Sequence, residues 1–150
     1  MAKYTVKFSC GHVAEVNLYG PEVERQRKIR HMRECWLCPA CYEQSKLNEI
    51  ASLEAELGLP ALTGSDKQVQ WARSLRKEYL SNFFRWFNEI VERNSKHGCD
   101  TSYDLQMVEK FKIWLRTKNA AKFWIDLQNK LDRTRELMKL FMQETKENQQ

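Results

Sequence analysis

No stretch of this 150-residue chain comes near the ~18 consecutive apolar residues that a membrane-spanning helix needs. The opening Met1-Ala2-Lys3-Tyr4 also lacks the apolar core of a signal peptide. A cytosolic protein with no membrane partner is therefore expected, and in that compartment thiols stay reduced. There are no internal repeats and no low-complexity segments. The sequence holds no Gly-rich phosphate loop, no nucleophile–base signature and no paired-carboxylate pattern. No catalytic residue is assigned, and the expectation is a protein that acts by binding and not by turnover. Proline is scarce at three residues, and two of them, Pro21 and Pro60, mark breaks in the chain.

What is present is globular in character. Hydrophobic residues make up 42% and aromatics 11%, enough for a real core and too much for a disordered chain. The net charge of +5 suits a nucleic acid or an acidic protein partner, and equally an ordinary soluble protein rich in lysine.

Lys3 to Phe8 and Val13 to Tyr19 alternate apolar and polar residues, with Cys10-Gly11-His12 between them. This predicts a β-hairpin whose turn is a metal knuckle. Gly20-Pro21 ends the second strand, and a charged helix is predicted from Glu22 to about Glu34. Cys38-Pro39-Ala40-Cys41 forms a second knuckle. Helical spacing then resumes from Tyr42 to about Leu57, through Leu47, Ile50, Leu53 and Leu57.

Gly58-Leu59-Pro60 breaks the pattern and places the end of an N-terminal module, residues 1–58, before a helical region over 65–146. Ser65 and Gln68 form a capping box for a long helix to about Asn94, its apolar face carrying Tyr79, Phe83, Trp86 and Phe87. A loop at 95–104 precedes a helix over Leu105–Thr117. Asn119 is placed as the cap of a last helix carrying Trp124, Leu127, Leu131, Met138 and Phe141 on one side. The tail from Glu144 is expected to fray. The fold class is mainly α: a small α+β zinc-ribbon-like module followed by a bundle of about three long helices.

Five reduced cysteines read first as metal ligands. Zinc takes four nitrogen or sulfur donors in a tetrahedron, commonly two from each of two tight turns. Cys10-x-His12 and Cys38-x-x-Cys41 supply that pattern. Cys35 adds a third thiol at the same spacing and competes with His12 for the fourth position. A module of roughly 40 residues needs such a staple, because burial alone does not hold so small a unit. Structural zinc is the cofactor expected, with Cys10, His12, Cys38 and Cys41 as its ligands.

Basic residues crowd the predicted helices. Arg73, Arg76, Lys77, Lys110, Lys112 and Arg116 are the candidate contacts to a partner, set against the plainer reading of a solvated helix face. Thr63 to Trp71 reads as a helix cap before it reads as an anion site. Trp124 reads as core.

Four stretches together carry a resemblance: Ser9-Cys10-Gly11-His12, Leu37 to Tyr42, Leu59 to Gln68, and Ala121 to Asp126. They resemble a group of bacterial, phage and mobile-element proteins. In that group a zinc-ribbon-like module precedes a helical region opening with Leu-Thr-Gly-Ser-x-Lys-Gln. Cys35 departs from the group's pattern. The resemblance implies a phage- or plasmid-type protein in the cytoplasm of a bacterial host, and it supplies no mechanism. The expected partner is a protein or nucleoprotein complex, with inhibition of a host defence system such as CRISPR as one form. Direct DNA or RNA binding by the basic helices or the ribbon is the alternative.

Overall fold

A computed structural model describes residues 1–147 and shows a mainly helical chain that opens with a two-stranded sheet. Strands β1 (Ala2–Lys7) and β2 (Val13–Leu18) pair antiparallel, with Ala2 opposite Leu18 and Lys7 opposite Val13. The helices are α1 (Glu22–Cys35), α2 (Pro39–Leu57), α3 (Asp66–Lys96), α4 (Ser102–Leu115), α5 (Ala121–Asp126) and α6 (Arg133–Glu147), with a 3-10 turn at Leu127–Asn129. The chain divides into two compact units, Met1–Glu49 and Ile50–Gln150. The division lies within α2, upstream of the Gly58-Leu59-Pro60 break, because Leu53 and Leu57 belong to the core of the second unit.

In the first unit the period of two sorts the hairpin into two faces. Val6, Phe8 and Leu18 are buried, while Lys3, Thr5, Lys7, Glu15 and Asn17 face water. Ile29 and Met32 of α1 complete the cluster with Cys38. Six buried side chains make a small core, and the unit has little apolar burial to set against chain entropy.

The second unit has far more. Phe83 of α3 stacks on Phe111 of α4 at 4.2 Å, and Phe111 meets Phe141 of α6 edge-on at 5.4 Å. Trp124, Leu80, Leu115 and Leu137 fill the space around them with no exposure. The capping box forms as expected: the Ser65 hydroxyl accepts from the Gln68 N–H, and Gln68 Oε1 accepts from the Ser65 N–H at 3.1 Å. Thr63 makes a short parallel bridge to Ala120, its N–H donating to the Asn119 carbonyl at 2.7 Å and its carbonyl accepting from the Ala121 N–H at 2.9 Å. A Cβ on Gly64 (φ +153°) would stand 3.1 Å from the Ala121 methyl, so the close approach of these segments calls for glycine. The Leu-Thr-Gly-Ser stretch thus has a structural task, tying the start of α3 to the start of α5.

A charged hub lies beneath this tie. Arg76 is only 2% exposed; it pairs with Glu54 and donates from Nη1 to the Pro60 carbonyl at 3.0 Å. Arg73 grips the same carboxylate through two hydrogen bonds, at 3.0 and 2.7 Å. Burial works to raise the Glu54 pKa, and the two guanidiniums more than offset it, so the net shift is downward from 4.5.

The last third departs from the sequence reading. One continuous helix from Asn119 through Phe141 was expected, with Leu131 on its apolar side. The chain instead breaks after the 3-10 turn: Lys130 is extended, and Asp132 caps α6 by accepting from the Arg135 N–H at 3.0 Å. Leu131 is left fully exposed in the break. Ala120, not Asn119, is the residue at the cap of α5, and Asn119 contributes its carbonyl to Thr63. Nor does the chain fray at Glu144. Its carboxylate accepts from Lys118 Nζ at 2.5 Å and from the Trp114 indole at 2.8 Å, inside α6. Residues 148–150 of that predicted tail lie outside the described residues. Trp86 and Leu47, both placed on apolar faces, are 40% and 49% exposed.

Phe83→Ala is expected to destabilise the protein by about 3–5 kcal/mol, since it empties a fully buried aromatic site. Leu131→Ser should leave the urea midpoint nearly unchanged. A large loss from the second would put Leu131 in the core.

Glu54→Ala should cost about 3–5 kcal/mol, because it strands the Arg76 charge in the interior. The depressed Glu54 pKa gives the sign of the acid response. Its stabilisation is complete above the ordinary value of 4.5 and is lost as pH falls through the lower folded value. Wild-type stability should decline as pH falls below the ordinary value of 4.5, and Glu54→Ala should flatten that decline in thermal midpoint.

Candidate metal centre

Two turns bring four donors together. The first follows β1: Gly11 takes φ +83°, a left-handed turn that lets Cys10 and His12 aim at one point. Phe8 N–H donates to the His12 carbonyl at 2.9 Å and Gly11 N–H to the Phe8 carbonyl at 2.9 Å, closing the knuckle. The second turn lies between α1 and α2. Proline at position 39 suits the first residue of α2, which places Cys38 just before the helix and Cys41 in its first turn. The Trp36 carbonyl clamps the two turns together, accepting from Ser9 N–H at 3.0 Å and from Ser9 Oγ at 2.6 Å.

The donor atoms of Cys10, His12, Cys38 and Cys41 all lie within 4.8 Å of one another. His12 Nδ1 is 3.2 Å from Cys41 Sγ and 3.8 Å from Cys38 Sγ. A tetrahedral ion with bonds of about 2.3 Å to sulfur and about 2.0 Å to nitrogen sets those atoms roughly 3.6 Å apart, between the two values. Backbone amides point at the sulfurs as they do where thiolates are held: Cys38 N–H donates to Cys10 Sγ at 3.3 Å and Cys41 N–H to Cys38 Sγ at 3.4 Å. The residues therefore could hold a metal ion.

The electrostatics follow from the same contacts. The Cys10 thiol is lowered to about 6, first by the Cys38 amide and then by the His12 amide, against some burial. Cys41 is pushed up to about 11, first by the neighbouring Cys38 sulfur, then by burial and by Cys10. Crowded thiols resist a second negative charge, and a divalent cation removes that resistance.

Cys35 stands apart. It is exposed at the end of α1 and outside the cluster, so His12 and not Cys35 completes the group of four. Cys99 is likewise exposed.

The chain matches no protein-family model, no curated protein and no solved structure.

The six basic residues read as partner contacts do not form one surface. Arg76 is corrected outright: its guanidinium is buried against the half-buried Glu54 carboxylate, which offsets the loss of water, while Arg73, a third exposed, pairs with the same carboxylate. Arg116 donates from Nε to the Leu57 carbonyl at 3.0 Å, closing the end of α2. Lys112 pairs with Glu109 on its own helix at 2.7 Å, Lys77 is half-buried and Lys110 is exposed. Sequence periodicity marks which face a helix residue shares with its neighbours. It does not show that Glu54 sits opposite Arg73 and Arg76.

Cys38→Ser and Cys41→Ser should each abolish metal retention through gel filtration, and His12→Ala should weaken it severely. Cys35→Ser should retain metal like the wild type. Loss of metal from Cys35→Ser, with retention by His12→Ala, would reassign the fourth ligand.

Proposed function

We propose that the protein is a zinc-stabilised binding protein that docks on a protein or nucleoprotein complex and catalyses no reaction. The observation that carries this is the donor set. Three thiols and one imidazole within 4.8 Å offer the soft, four-donor environment that zinc prefers over magnesium or calcium. Four protein donors also fill the tetrahedron, leaving no position for a reacting water or substrate. The ion's work is then folding energy for a unit with six buried side chains. The likeness to phage and mobile-element proteins supports a partner in the host's nucleic-acid-processing machinery, a CRISPR effector among them. That partner would place the protein in the bacterial cytoplasm, acting as an inhibitor.

Direct nucleic-acid binding is the second reading. It is favoured by α1, where Arg27, Lys28, Arg30 and Arg33 are all exposed. Cations grouped this way suit a phosphate backbone.

Capture with the tagged full chain from bacterial cells, with and without nuclease, separates the two. A protein partner retained after nuclease, with a complex that survives a rise from about 50 to 200 mM salt, supports docking. Binding that vanishes with nuclease and falls by orders of magnitude over that range assigns the contact to phosphates. A purified chain carrying no zinc would remove the ground of the proposal.

A further inference from the structure

The second unit carries a groove of about 1190 Å³ between α3 and α6 that the metal centre does not use. Trp86, Met138, Met142 and the fully exposed Leu131 are among its lining residues, so hydrophobic side chains meet water there. Exposed apolar side chains gathered beside polar ones mark interaction sites. Cations flank it: Arg85, Arg133, Arg135, Lys139 and Lys146, against Glu89 and Asp132, and Asp132 is already engaged in capping α6.

Tyr79 lies at the base of the groove, 2% exposed, with the Arg133 guanidinium over its ring at 5.4 Å. Arg133 also donates from Nη2 to the Gln128 carbonyl at 3.2 Å, which holds it in the groove wall.

We propose that this groove receives an acidic amphipathic helix from a partner protein, its apolar side chains meeting Trp86, Met138 and Met142 and its carboxylates meeting the exposed cations Arg135, Lys139 and Lys146. The proposal rests on the reading that the protein acts by binding, and it names the class of partner and where it docks. Length, charge and chemistry each bear on it. The lining runs from Tyr79 to Glu89 on α3 and from Thr134 to Lys146 on α6. At 1.5 Å per residue that is about 15–18 Å, the span of roughly three helical turns. Flexible thioethers and a leucine accept apolar side chains of varied shape, as helix-binding grooves do. Single-stranded nucleic acid fits less well, because it calls for a series of open aromatic faces. Here Tyr79 is covered by Arg133, and Trp86 is the one exposed ring of the lining.

Selection from a random peptide library of about 12 residues, enough for three helical turns, against the full zinc-loaded chain tests this. Enriched peptides should carry Glu or Asp together with Leu, Ile, Phe or Met at helical spacing. Arg135→Glu/Lys139→Glu, placed at exposed positions, should weaken them by about tenfold or more without shifting the unfolding midpoint. No enrichment, enrichment without acidic residues, or equal binding by the double variant would overturn the groove's assignment. So would an oligonucleotide that binds the wild type and loses binding in the double variant. The cellular capture described above keeps the two readings distinguishable. A protein partner held equally by wild type and Arg135→Glu/Lys139→Glu leaves docking intact and rejects the groove alone.

Discussion

The N-terminal unit hangs on the convergence of Cys10, His12, Cys38 and Cys41. Its hairpin and α1 bury few side chains, and the first knuckle is tied to the second by the Trp36 carbonyl, which accepts from Ser9, and by the Cys38 N–H, which donates to Cys10 Sγ. A two-stranded hairpin is marginal by itself. Joining the β1–β2 turn to the α1–α2 junction through one ion would replace apolar area with four bonds, and the backbone amides of Cys38 and Cys41 already point at the sulfurs that would carry charge.

The second unit uses other means. Its stacked aromatics supply burial, and a single carboxylate organises the polar interior. Glu54 neutralises Arg73 and Arg76, while Arg76 also holds the carbonyl of Pro60 and so fixes the bend that leads into α3. A buried charge pair of this kind adds little net stability over a well-packed apolar substitute, yet it penalises every arrangement that separates the partners. The same economy recurs at Glu144, which satisfies both Lys118 and the Trp114 indole. With those charges matched inside, the cations that remain outward on α6 line the groove.

Local patterns were legible in the sequence. Alternation from Lys3 to Phe8 and from Val13 to Tyr19 gave the hairpin, and Ser65 with Gln68 gave the start of α3. The spacing of Cys38 and Cys41 gave half of the metal cluster. These features were readable because each depends on residues a few positions apart. The continuous last helix was misread for the same reason. Leu127 and Leu131 keep helical spacing, but the Asp132 cap competes with it and wins, turning Leu131 outward.

The sequence by itself determined the mainly α class and three of the candidate ligands, Cys10, Cys38 and Cys41, since these follow from periodicity and the preferences of zinc. Tertiary structure alone decided between His12 and Cys35, because that choice depends on which side chain the hairpin carries to the α1–α2 junction. It also decided the fate of the basic residues. Arg76 looked like a surface contact and became part of the interior, while Arg133 and Arg135 of α6 came to line a groove with Trp86 of α3. Charge is a property of a residue, but whether it faces water, a carboxylate or a partner depends on segments distant in sequence and adjacent in space.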